Sequence, residues 1–433
     1  MNIGVIGTGY VGLVAGACFA ESGNDVLCVD IDTAKIEKLK QGIIPIYEPG
    51  LSDLIDRNVR EERLSFTSDI EAAVKKSFVL FIAVGTPTTS SGAADLRAVF
   101  QVAKDIGRYM DRYKLIVTKS TVPVGTTERV RDIIAAETKL PFDCVSNPEF
   151  LKQGAAVEDF MKPDRVVVGA NDPRAGEILR ELYAPFVRTG SPVLMIDVRT
   201  SEMIKYAANA FLAARISFMN EVANLCEQVG ADVEMIRKGM AADSRIGPAF
   251  LFAGVGFGGS CFPKDTRALI QTAKENDYTM RILEAVDAVN SDQPARFVEK
   301  IRKHFGNDVK GKRIGVWGLA FKPRTNDMRD APSIRIIKAL LEDGATVVAY
   351  DPEAMDEARR VFSDRIQYAA NNYSCIEGSD ALLVITEWQV FRNPNFDRMK
   401  TVMRQPVVFD GRNIFDPAHM RQLGFTYYSI GRK

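Results

Sequence analysis

Asn2-Ile3-Gly4-Val5-Ile6-Gly7-Thr8-Gly9-Tyr10-Val11-Gly12-Leu13-Val14-Ala15 decides the fold of this chain. Asn2–Ile6 reads as a short buried strand and Tyr10–Ser22 as an apolar helix, with G-x-G-x-x-G in the turn between them. Each glycine answers a separate demand. Gly7 makes the tight turn, Gly9 lets backbone approach a pyrophosphate, and Gly12 allows close helix–strand packing. The helix start, with Tyr10 and Val11 in its first turn, offers free N–H groups and positive dipole to phosphate. A second strand, Asp25–Asp30, ends on a carboxylate eighteen residues after Gly12. An acid there accepts ribose hydroxyls and repels a 2′-phosphate, which favours NAD over NADP. Lys35 is either a second contact to that ribose or a solvated helix lysine.

Working outward, β-rich runs alternate with helical patterns through the first half. Further strands are expected at Phe78–Val84, Leu115–Lys119, Phe142–Ser146 and Arg165–Gly169, with helices at Thr33–Lys40 and Leu96–Tyr109. This is the βαβ signature of a parallel sheet. Ser201 to Val229 then has helical periodicity without proline or glycine, a spine of roughly 45 Å at 1.5 Å per residue. A second α/β block follows, with strands at Arg313–Trp317, Thr346–Tyr350, Ala381–Thr386 and Val407–Asp410 and a helix near Ser333–Leu341. The expected architecture is α/β: two Rossmann-like, doubly wound domains joined by a long central helix and a helical linker domain. The boundaries read as 1–200, 201–305 and 306–433.

Composition narrows the partners. Fifty-six basic residues balance fifty-six acidic ones among 433, so no bulk charge points to nucleic acid or an anionic membrane. No apolar run approaches the roughly 18 residues of a membrane helix, and the first strand begins almost at Met1, so a cytoplasmic protein is expected. The six cysteines are far apart and form no C-x-x-C pair, which argues against disulfides and a zinc site. Neither histidine, His304 or His419, lies near a motif.

Chemistry concentrates where strands end. In open α/β sheets ligands bind beyond the carboxyl ends of the strands, and here those ends carry Gly85-Thr86-Pro87, Ser120-Thr121-Val122-Pro123 and Asn147-Pro148-Glu149-Phe150-Leu151. Each prolines-and-hydroxyl segment taken singly is a turn as readily as a ligand; three on one lobe point to a site. The segment Phe250-Leu251-Phe252-Ala253-Gly254-Val255-Gly256-Phe257-Gly258-Gly259-Ser260-Cys261-Phe262-Pro263-Lys264-Asp265 is the most informative. Its crowded glycines imply close approach to a ligand or positive φ. Pro263 suits a first helical turn, so Cys261 falls at a helix N-terminus, where the dipole favours the thiolate. Lys264 adds positive charge, and Asp265 sits one turn beyond. The other cysteines (Cys18 in a helix, Cys28 and Cys144 in strands, Cys226 on the spine, Cys375 in a helix–strand connection) read as small buried apolar residues. Lys205 and Asn209 share a face of the long helix. They make either an oxyanion site or a solvated polar stripe.

These motifs, with Phe321-Lys322, Arg329 and Asp410-Gly411-Arg412, resemble those of the UDP-glucose/GDP-mannose dehydrogenase family along essentially the whole chain. Phe262 and the Phe250-Leu251 approach are similar to its UDP-glucose branch; GDP-mannose and UDP-N-acetylhexosamine are the alternative substrates. The resemblance implies NAD-dependent oxidation of UDP-glucose to UDP-glucuronate, with Cys261 as nucleophile and Lys205 with Asn209 stabilising alkoxides. It implies that Asp265 activates water, that Glu149 assists proton transfer and that Thr121 holds water and cofactor. Gly7, Gly9, Tyr10, Val11, Gly12, Asp30, Lys35, Thr86, Pro87, Lys264 and Arg329 would then face NAD. Phe150, Leu151 and Lys152, the Phe250–Gly254 loop with Leu251, Phe252 and Ala253, Gly258, Lys322 and Arg412 would face the UDP-sugar. Arg245 matches an arginine that reaches a neighbouring subunit's substrate, so a homodimer is expected. Gln153 departs from the pattern, since many members carry glutamate there, and it is held as a binding residue only.

Overall fold

The computed structural model describes residues 1–89, 91–188 and 190–432 and divides into two compact units, 1–208 and 209–433. The first is built on eight strands: β1 Asn2–Ile6, β2 Asp25–Val29, β3 Leu64–Thr67, β4 Val79–Ile82, β5 Lys114–Thr118, β6 Phe142–Ser146, β7 Val166–Ala170 and β8 Val193–Ile196. Their order is β3-β2-β1-β4-β5-β6-β7-β8, so the chain reverses direction across the sheet at β1 and β4, where dinucleotide folds bind their ligand. Helices cover both faces. Val5, Phe81 and Val117 pack on one side with Phe19 and Phe160; Ile6, Ile82 and Ile116 pack on the other with Val99 and Val130.

One junction is not parallel. β7 runs antiparallel to β6, pairing Val145 with Ala170 and Ser146 with Gly169. The connection between them holds only the short helix Ala156–Met161, too little for the crossover a parallel pair requires. The chain therefore turns back beside β6. That return places the Asn147–Gly154 segment at the sheet's carboxyl edge.

The second unit carries β9 Arg313–Trp317, β10 Thr346–Tyr350, β11 Gln367–Tyr368, β12 Ala381–Val384, β13 Val407–Asp410 and β14 Thr426–Tyr428, all parallel, in the order β11-β10-β9-β12-β13-β14. Asp351, just after β10, takes N–H groups from Leu319 and Ala320 and the Trp388 indole. The fold of the first unit is repeated, but the acid at the end of its second strand is wholly buried here and spent on its own turn. Cys375 lies inside the short helix Asn372–Ile376, started by an Asn371/Ser374 capping box, rather than in a connection.

The long helix spans Val198–Val229, 32 residues. It begins three residues before the expected Ser201 because Asp197 accepts the Thr200 N–H at 2.9 Å and the Ser201 N–H, an N-cap. No helix among the described residues is long and apolar enough to cross a membrane.

Candidate active site

In the first unit, Gly7 has φ of 105°, and a Cβ on Gly12 would stand 1.8 Å from the Gly7 carbonyl oxygen. Neither position admits a side chain. Among the described residues, a Cβ at Gly9 would meet nothing within 4 Å, and no side chain caps the helix it begins. The space and the unclaimed N–H groups fit a pyrophosphate. Asp30 accepts the Thr8 N–H at 2.9 Å and hydroxyl at 2.7 Å, and pairs with Lys35 at 2.6 Å. Lys35 is thus neither purely solvated nor simply set apart for a ribose. Burial alone would push the Asp30 carboxyl up; Lys35 and Thr8 outweigh it and hold the group below its usual range.

Beyond β4, β5 and β6 the predicted strand-end residues come together. Thr86 donates to the Thr121 carbonyl at 2.8 Å, and the Pro87 carbonyl accepts the Asp95 N–H. Glu149 is buried, 3.1 Å from the Lys205 ammonium, and accepts the Leu151 N–H at 2.6 Å. Burial opposes its charge, but Lys205, that N–H and Lys119 together carry it below the ordinary glutamate range. Phe150 is flanked by two cations, Arg165 at 3.7 Å and Lys205 at 5.4 Å from its ring centre. Lys152 pairs with Asp159 at 3.0 Å, and Gln153 follows on the same loop.

In the second unit, Cys261 caps the helix Phe262–Lys274 and is half-buried, its sulfur 3.6 Å from the Ser260 hydroxyl. The Asp265 N–H reaches the Cys261 carbonyl at 2.8 Å, the first turn of that helix. The Asp265 carboxylate is buried and held from two sides, by Asn209 at 2.7 Å and Lys264 at 2.6 Å. Asn209 and Lys264 therefore serve a carboxylate in this structure. The approach loop is tight. Phe250 takes φ of 60°, a costly conformation for a bulky residue. A Cβ on Gly258 would stand 2.4 Å from the Asp330 carbonyl, and one on Gly254 2.9 Å from that of Gly411. Leu251 and Ala253 are buried, while Phe252 is exposed beneath the Arg237 guanidinium. Arg412 donates to the carbonyls of Ile385 and Gly256, and Lys322 lies over Phe321. Arg329 pairs with Asp327 at 2.7 Å. Arg245 is highly exposed and pairs locally with Asp243.

The remaining cysteines behave differently. Burial pushes the thiols of Cys28 and Cys375 up to about 12, and raises those of Cys18, Cys144 and Cys226 as well. Cys144 corrects the expectation in one respect: it is only partly buried, because its strand β6 meets the short antiparallel return.

Three side chains carry the site without having been legible as part of it. Glu48 is bonded by Tyr10 and accepts the N–H groups of Gly154 and Ala156, tying the dinucleotide turn to the Glu149 loop. Lys119 lies wholly buried behind that loop. Asn220 accepts the Gly254 N–H at 2.8 Å, while its own amide nitrogen meets no partner among the described residues. None forms a motif of its own, and none differs by its spacing from an ordinary polar residue.

The family's NAD binding domain matches residues 1–187, its central domain 199–292 and its UDP binding domain 315–417. The chain belongs to the UDP-glucose/GDP-mannose dehydrogenase family. Among its relatives are the UDP-glucose 6-dehydrogenase TuaD of Bacillus subtilis, 50% identical over 100% of this chain and 93% of that protein, and the UDP-glucose 6-dehydrogenase of Rhizobium meliloti, 49% identical over the full length of both. A UDP-glucose dehydrogenase structure from Pyrobaculum islandicum aligns with a TM-score of 0.93 at 39% identity, covering 100% of this chain and 98% of that one.

The Gly12 contact yields a direct check. Gly12→Ala should weaken NAD binding at least tenfold, measured by calorimetry, because helix and turn must separate by more than an ångström. Unchanged affinity would mean the turn does not hold the cofactor.

Proposed function

We propose that this enzyme oxidises the C6 alcohol of UDP-glucose to the carboxylate of UDP-glucuronate, with Cys261 holding the sugar covalently between the two oxidations. The observation that carries this reading is the partly exposed Cys261 at a helix N-terminus, one turn from a buried, doubly held Asp265. NAD, when bound, supplies the hydride acceptor for each oxidation. The Cys261 thiolate adds to the aldehyde carbon, and the resulting thiohemiacetal is itself oxidisable; its oxidation product is a thioester. Lys205 and Asn209 stabilise the negative oxygen of each tetrahedral stage. Glu149, already ionised beside Lys205, accepts the proton released from oxygen. Asp265 activates the water that cleaves the thioester, and Thr121 holds water and cofactor in place.

The division of labour is part of the proposal: residues 1–200 for NAD, 201–305 for the cysteine chemistry and 306–433 for the UDP-sugar, with a cytoplasmic setting. Phe150, Leu151, Lys152 and Gln153 with the Phe250–Gly254 loop, Gly258, Lys322 and Arg412 serve substrate; Lys264 and Arg329 serve cofactor. A homodimer is supported by the long helix, which exposes Phe211, Phe218 and Leu225 at seven-residue steps, with relative exposures of 64%, 52% and 60%. An apolar stripe of that period seeks a like helix, and Arg245 would reach across it.

Three measurements test the reading. The wild-type enzyme should form two NADH per UDP-glucose, and none with GDP-mannose. Cys261→Ser should fall short of acid formation by at least a hundredfold, and full turnover at the wild-type rate would rule out the thioester route. Phe218→Glu should convert dimer to monomer in light scattering; a monomeric wild type would remove the dimer.

A further inference from the structure

Lys119 is a buried lysine for which the proposed chemistry has no use. It follows β5 directly, and its ammonium donates to the Asn147 side-chain oxygen at 3.0 Å, to the Asn147 carbonyl at 3.3 Å and to the Tyr183 hydroxyl at 3.1 Å. Tyr183 donates in turn to Asn147 at 2.7 Å, and the Asn147 amide donates to the Val167 carbonyl at 2.8 Å. The rings of Tyr183 and Phe160 stand 5.7 and 6.0 Å from the ammonium. Asn147 is thereby clamped two residues before Glu149. A cavity of about 50 Å³ is lined by Lys119, Asn147 and Glu149 together.

If this position only filled the core, an apolar side chain would do so at lower cost, since burying an ammonium is expensive unless its charge is used. The ionisable groups around it are few. Glu149 approaches from the strand-end loop, Lys205 from the long helix, and Tyr183 from the helix Pro173–Tyr183; Asp159, Asp164 and Arg165 line the same cavity. Among them Glu149 is the acid coupled to Lys119, and Lys205 the like charge.

We propose that Lys119 is a positioning residue for Glu149: it fixes the Asn147–Glu149 corner and supplies a second positive charge that, with Lys205, keeps the carboxylate ionised. This rests on the role proposed above for Glu149 as proton acceptor. Burial brings the Lys119 ammonium down to about 7, so its charge is present on the acid side of neutrality, where Glu149 most needs it.

The test is kcat/KM against pH for Lys119→Met, Lys119→Gln and Lys119→Arg, each alone and with Glu149→Gln. Loss of the cation should move the acidic limb of the profile up by about one pH unit, roughly a tenfold loss on that limb, in both Met and Gln variants. Arg should leave the limb in place. In the Glu149→Gln background no variant should move it further. The Gln variant keeps a donor for Asn147 and decides the matter where Met fails to fold. An unmoved limb in the neutral variants, or an equal shift without Glu149, overturns the inference. Wild-type rates for Glu149→Gln alone would instead overturn the role of Glu149.

Discussion

A carboxylate buried in a protein must be held by donors or lose its charge, and at Glu149 that constraint shapes the candidate site. Its partner Lys205 projects from the long helix, 3.1 Å away. The pair therefore fixes the strand-end loop to the spine. Removing one member of such a pair leaves an uncompensated charge, at a cost of about 3–5 kcal/mol. In the proposed reaction the same two groups serve as base and cation, so the interaction that orders the loop would also set its chemistry.

The device recurs through both units. Asp30 closes on Thr8 and Lys35, Glu48 on Tyr10, Gly154 and Ala156, and Glu202 on the N–H groups of Gly125 and Thr127 just after the Thr121 loop. Asp265 closes on Asn209 and Lys264, and Asp351 on the N–H groups of Leu319 and Ala320 in the turn after β9. Loops beyond parallel strands have no ladder partner of their own. A carboxylate collecting backbone N–H groups supplies one, and leaves the apolar strands to the core. Glycine does the complementary work where no side chain fits, at Gly12 against Gly7 and at Gly258 against Asp330.

Much of this was legible in the sequence, for identifiable reasons. β1, β6, β9, β10 and β13 match their expected bounds because buried parallel strands read as short apolar runs. Cys261 was placed at its helix N-terminus by Pro263 alone. The antiparallel β6–β7 junction was not foreseen, since strand direction depends on how much helix the connection contains. β3, β8, β11 and β14 went unread because they are the short edge strands of the two sheets, part-exposed and without the continuous apolar run of the central strands. The partners of the site residues were invisible for a different reason. Nothing in the spacing of Glu48, Lys119 or Asn220 distinguishes a polar residue that holds a loop from one that faces water.

If Glu149 and Lys205 act as one unit, their catalytic losses must not add. The decisive measurement is the rate of the first NADH formed by Glu149→Gln, Lys205→Met and the double variant in a single turnover. Each single change should cost at least roughly a hundredfold, and the double variant should be little slower than the worse single one. Losses that multiply in the double variant would show two independent groups and contradict the account.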